Sequence, residues 1–214
     1  MVMMTFDKGK LDLMAIYLCQ CRVKSLAESQ DVHVPPSAGE AIQLIRFLKD
    51  AGVKPLVIGS VGVLSYLNVD PTKNFRPTVD LDLWVEKVPR QLPRGWTIDH
   101  EAIGVDSWVS PSGGTVDFIV PGQKFPSGGR SPKSINANPD FVDTDFPVAD
   151  WVDLVKLKLN SVREKDLADV IALVRAMGRV PSPTELGSLN GDQRDNLDLV
   201  KKWFQLRPSG QYGE

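Results

Sequence analysis

The 214-residue chain is 42% hydrophobic, enough to fill one sizeable core and within the usual range of one or two domains. Its 25 Lys and Arg against 27 Asp and Glu leave a net charge of −2, so the surface as a whole is not that of a polyanion binder, and any such role falls to local basic clusters. Cys19 and Cys21, the chain's two cysteines, point apart on a predicted helix and form neither a disulfide framework nor a thiolate metal site; with no run long enough to span a bilayer, the expectation is a reduced, cytoplasmic protein that does not engage a membrane.

Apolar positions recur at three- and four-residue spacing over 11–26 and 38–48, which predicts two leading helices, with Pro35-Pro36-Ser37 ending one and capping the next. Pro55-Leu56-Val57-Ile58 then reads as a short strand that stops at Gly59-Ser60 and passes into a helix over 61–67. Residues 68–75 form a polar loop that leads to the next strand, within the stretch Arg76 to Val85.

On that strand Val79, Leu81, Leu83 and Val85 alternate with Asp80, Asp82 and Trp84, so the apolar set faces a core and both acids project to the other side. Two acids at this spacing have α-carbons roughly 6 to 7 Å apart, close enough to share one or two divalent ions. They are also too close for both to ionise comfortably without one.

A connector to Gly95 leads to short strands around Trp96 to Asp99 and Ser107 to Val109. Ser112-Gly113-Gly114 is a hairpin-like turn into Thr115-Val116-Asp117-Phe118-Ile119-Val120, a β-rich run with a single acid in its middle. Gly122 to Asp140 concentrates Gly, Pro, Ser and Asn with Lys124, Arg130 and Lys133, which predicts a long surface loop of the kind that often serves as a lid. Helices are then predicted from Trp151 to about Val162, from Glu164 to Met177 and, after Pro181-Ser182-Pro183, in two weaker stretches ending near Leu206.

Three features line up in order along the chain: a Gly-Ser turn after a strand, an Asp-x-Asp strand and a lone Asp on a later strand. Gly59 allows a turn that exposes the amides of the following helix, where Ser60 adds a hydroxyl for phosphate oxygens of a nucleoside triphosphate. Asp80 and Asp82 suit Mg2+, with Mn2+ as the substitute, and Asp117 completes the set if its strand lies beside theirs. Such a trio supports in-line displacement at phosphorus, with Asp117 as a metal ligand and local proton acceptor. An isolated Asp-x-Asp is commonly a solvated strand face; the turn before it and the acid after it favour catalysis. The same two features favour this chemistry over a glycosyltransferase that holds a sugar nucleotide through Asp-x-Asp and manganese.

Gly59-Ser60, Asp80-x-Asp82 and Asp117 resemble the signature of the polymerase-beta-like nucleotidyltransferase superfamily, and Arg76-x-Thr78-x-Asp80-Leu81-Asp82 resembles its AbiEii-type branch, which includes bacterial type IV toxins. Asp153-Leu154-Val155-Lys156-Leu157-Lys158-Leu159 and Arg163-Glu164-Lys165-Asp166-Leu167-Ala168-Asp169-Val170 are similar to that branch's helical stretch. The resemblance covers roughly 57–173, with 69–75 as an apparent insertion. It implies an α/β (α+β) nucleotidyltransferase fold: a small mixed twisted sheet with flanking helices and a helical C-terminal part. The first two helices and the tail after Gly178 lie outside the resemblance, and the expected division is N-terminal helices over 1–54 packing on the core, a catalytic core over 55–148 and a C-terminal helical region over 149–214.

The resemblance also implies transfer of a nucleoside monophosphate to a hydroxyl of RNA such as tRNA, of a protein or of a small molecule, a toxin-like role and a cognate antitoxin as partner. Lys158 would bind the triphosphate, with Asp166 or Asp169 orienting that Lys or Arg163. For these four residues and Lys165 a helix surface laced with ion pairs stands as an equal alternative. A catalytically inactive nucleotidyltransferase-like binding module is the alternative for the whole chain; three mutually repelling carboxylates argue against it. Trp84 and Trp108 are read as packing residues rather than base-stacking platforms, and His33 and His100 have no partner pattern for catalysis or metal binding.

Overall fold

The computed structural model describes residues 15–16, 18–20, 34–67, 78–99, 105–125, 129–161 and 163–206. Most of the first predicted helix, the loop and apparent insertion over 68–75, and Arg76, His33 and His100 lie outside these residues.

Helix α1 (Ala38–Asp50) starts at Ser37, whose hydroxyl accepts from the Glu40 amide at 3.3 Å while the Glu40 carboxylate accepts from the Ser37 amide at 2.9 Å. This reciprocal pair satisfies amides that a helix start otherwise leaves over. Ala41, Leu44, Ile45 and Leu48 recur at helical spacing and are fully buried. Glu40 also accepts from the Ser112 amide and hydroxyl at 2.9 and 2.6 Å, which fastens α1 to a turn 72 residues away. Burial pushes its carboxyl up, but the bonds from Ser112 and Ser37 outweigh burial and bring it down to about 2.

Strands β1 (Leu56–Val57), β2 (Asp80–Trp84), β3 (Thr97–Ile98), β4 (Asp106–Val109) and β5 (Thr115–Ile119) form one five-stranded sheet in the order β1-β2-β5-β4-β3. The β2–β5 pair is parallel and the other pairs are antiparallel, so the sheet is small and mixed, as expected. The outer edge of β1 is covered: the Val57 amide donates to Pro147 O at 2.6 Å and the Ala149 amide to Val57 O at 3.1 Å. Leu81, Leu83, Val116 and Phe118 alternate onto one face and are fully buried, with Trp108 edge-on to Phe118 at 4.7 Å between ring centroids. Trp84 is buried as well, so both tryptophans pack. Val79 does not join the apolar face: the strand begins one residue later, at Asp80, and Val79 is 41% exposed.

Short helix α2 (Gly59–Leu64) lies against β2 and also touches α3 (Trp151–Leu159) and α4 (Glu164–Met177). Helix α3 packs in turn on α4, on α5 (Pro183–Leu186) and on α6 (Gly191–Leu206). Gly178, with φ +67°, ends α4 in the left-handed conformation that stops a helix cleanly. A single apolar cluster runs from Leu18 and α1 through the sheet to Val200 on α6. No helix among the described residues is long and apolar enough to cross a membrane.

The segment after β5 is more tied down than its composition implies. The Phe125 amide donates to Gly129 O and the Ser131 amide to Gln123 O, both at 2.8 Å, so the described ends of 120–131 form a stapled hairpin. Asn160 Nδ2 holds Arg130 O at 3.1 Å, and further along the Asp150 amide donates to Asn136 O at 2.7 Å. Polar and small residues here make backbone bonds to their neighbours in place of an apolar core.

Candidate active site

Parallel pairing of β2 and β5 sets Asp82 directly opposite Asp117, and Asp80 opposite Thr115. Residues paired in register share a face, so the three acids converge on one side of the sheet. Each of Asp80, Asp82 and Asp117 offers a carboxylate oxygen, and these oxygens all lie within 4.8 Å of one another.

Two of the acids are gripped by hydroxyls. Thr78 Oγ1 donates to Asp80 Oδ1 at 3.0 Å, and Ser107 Oγ to Asp117 Oδ1 at 2.7 Å. The second grip follows from hairpin register, which pairs Ser107 with Asp117 across β4 and β5.

Asp82 is positioned differently. Its carbonyl accepts from the Ile58 amide at 3.0 Å, bringing the start of α2 against β2. A Cβ on Gly59 would stand 1.8 Å from Asp82 Oδ2, and Gly59 has φ +62°. Glycine is therefore required there twice, by conformation and by space. No hydroxyl among the described residues donates to the Asp82 carboxylate. Burial, the charge of Asp80 and the charge of Asp117 push it up to about 8, with Lys158 and Arg163 pulling the other way.

Lys158, near the end of α3, and Arg163, just before α4, thus act electrostatically on Asp82. Lys158 Nζ lies 2.7 Å from Asp166 Oδ1 and 2.9 Å from Asp169 Oδ2, and Arg163 Nε lies 2.6 Å from Asp166 Oδ2. Asp166 is fully buried, Lys158 nearly so, and Arg163 is 61% exposed. Burial opposes the charge on Lys158, but Asp169 and Asp166 more than offset it and hold its ammonium protonated. Burial likewise raises Asp166, but Lys158, Ser161 and Arg163 bring it down to about 2. The sequence left ion pairing and phosphate binding open for these residues; ion pairing is present.

The donor set fits a divalent cation. Carboxylate oxygens are the hard ligands such ions take, and here three of them converge, with one carboxyl held protonated by burial and by the charges of its two neighbours. The Gly59 cradle keeps Asp82 Oδ2 from being displaced by a side chain.

Sequence reasoning gave no role to Ser107, Asn160 or Gln193. Ser107 was within reach, since the hairpin pairs residues symmetrically about Ser112, with Ser107 as far before it as Asp117 is after it. Asn160 takes a 2.7 Å bond from Gln193 Nε2 and donates to Arg130 O, joining α3, α6 and the hairpin after β5. No periodicity signals a contact of that kind.

No family model matches the chain, and no curated protein matches it. Among solved structures the chain is similar to an antigenic nucleotidyltransferase-like protein from Paracoccidioides brasiliensis, with 16% identity and a TM-score of 0.49 over 81% of this chain and 93% of that one.

Proposed function

We propose that the chain is a divalent-metal-dependent nucleotidyltransferase that moves a nucleoside monophosphate from a nucleoside triphosphate to an acceptor hydroxyl and releases pyrophosphate. One observation carries this reading: three carboxylates from neighbouring parallel strands meet on one face, with the Gly59 backbone seated against Asp82.

Asp80, Asp82 and Asp117 would hold the cation, which supplies Lewis acidity at the phosphates when bound. Asp117 receives the acceptor's proton as the acceptor oxygen bonds to the α-phosphorus. The bond from that phosphorus to the bridging oxygen breaks, and pyrophosphate departs with the electron pair. Gly59 and Ser60 line the triphosphate side of the cleft. Lys158 spends two of its three N–H donors on Asp166 and Asp169, which aim the third at a phosphate oxygen. Arg163, anchored through Nε, turns its remaining N–H groups to the same phosphates.

The finer reading is an AbiEii-type, toxin-like enzyme of the cytoplasm, with Mg2+ as the working ion, Mn2+ as its substitute, and an antitoxin partner. It rests on Arg76-x-Thr78-x-Asp80-Leu81-Asp82 and on the Lys158 to Asp169 segment. Its acceptor is the 3′ end of an RNA such as tRNA, a protein side chain or a small molecule, and one assay sorts these. Incubation with α-labelled nucleoside triphosphates, Mg2+ and either total RNA or lysate is expected to label one acceptor class. Asp80→Ala abolishes the label and Arg46→Ala on the α1 surface retains it. A folded, nucleotide-bound protein that labels nothing would overturn the reading.

A further inference from the structure

We infer that Ser107 is the positioning residue of the third carboxylate, fixing the plane of Asp117 so that the cation meets one defined edge of it. The inference rests on the functional reading above. Ser107 is 1% exposed, and its hydroxyl lies 2.7 Å from Asp117 Oδ1 but 3.2 Å from Val116 O. A hydroxyl has one proton to give, and the shorter approach, to the carboxylate oxygen, takes it.

The terminal torsion of an aspartate side chain is broad, so an Asp117 held more loosely at Oδ1 would sample more planes. Ser107 is well placed to prevent this because its own backbone is held on both sides. Strand β4 lies between β5 and β3, pairs Ser107 with Asp117, and accepts the Asp99 amide at Ser107 O at 2.8 Å. A hydroxyl on rigid backbone can orient a ligand that one on a loop would let drift. Ser107 touches neither nucleotide nor acceptor; it acts through Asp117.

The test is Mn2+ titration of the full chain by calorimetry, beside the divalent-ion dependence of label transfer. Ser107→Ala is expected to weaken Mn2+ binding about tenfold and to raise the apparent KM for the ion more than it lowers kcat. The same variant should lower the metal-free Tm by only about 2 to 4 °C. Ser107→Thr, which keeps the hydroxyl, restores the affinity. Ser107→Cys keeps the volume with a much weaker donor, and gives the same loss should the alanine variant not fold. A parent protein that binds Mn2+ and a Ser107→Ala variant that binds it as tightly would overturn the role of Ser107 alone. A parent that takes up no Mn2+ would overturn this role and the functional reading together.

Discussion

The molecule holds two clusters of aspartates within electrostatic reach of each other, and they are balanced in opposite ways. On α3 and α4, Asp166 and Asp169 face Lys158 and Arg163, and Asp166 sits at about 2, fully committed to its negative charge. On β2 and β5, Asp80, Asp82 and Asp117 face one another, and Asp82 is driven up to about 8. The first cluster carries its own counter-ions on rigid helices; in the second, Lys158 and Arg163 pull Asp82 down without overcoming burial and its two acidic neighbours. Three carboxylate oxygens drawn this close, with one carboxyl held protonated, are a donor set of the kind a divalent cation fits.

Substitutions should separate the two clusters cleanly. The largest effect is expected at the trio: Asp82→Asn or Gly59→Ala lowers label transfer on the order of a thousandfold or more, the first by removing a ligand and the second by driving a methyl group into Asp82. Both variants are checked beside circular dichroism for retained fold. Next comes Asp166→Asn, which strips a buried lysine of one partner and should cost about 3 kcal/mol in urea unfolding, with Mn2+ uptake preserved.

The clusters should also titrate in opposite directions. Folded Asp82 keeps its proton up to about 8 while the unfolded chain loses it in the ordinary carboxylate range. Metal-free stability therefore falls as pH rises between those limits and levels off above them. Folded Asp166 is depressed to about 2, so its contribution is present above the ordinary carboxylate range and is lost as pH falls through about 2. Thermal unfolding against pH in chelator reads both limbs: Asp82→Asn flattens the upper one and Asp166→Asn the acid one. The smallest effect is outside both clusters, at Glu40→Ala, which removes the α1 cap and its tie to Ser112 for about 1 to 2 kcal/mol without changing Mn2+ uptake.

Local signals make much of this legible in the sequence. Alternation around Asp80 and Asp82 and the cap at Ser37 are rules of neighbouring residues, and β2 and α1 follow them. Val79 broke the pattern because alternation gives the parity of a strand and not its first residue. The joining of Asp117 to the acidic strand needed β5 to pair with β2 in one register, which sequence poses only as a condition. Asn160 was silent because its partners lie 30 and 33 residues away on elements with no shared period.

The most direct measurement is Mn2+ uptake by calorimetry at about pH 8, where Asp82 ionises, with wild type, Asp117→Asn and Asp166→Asn compared side by side. Saturable binding by the wild type, its loss in Asp117→Asn and its survival in Asp166→Asn is the expected result. Binding that persists without the Asp117 carboxylate, or a folded wild type that takes up no ion, would contradict a shared cation site on β2 and β5.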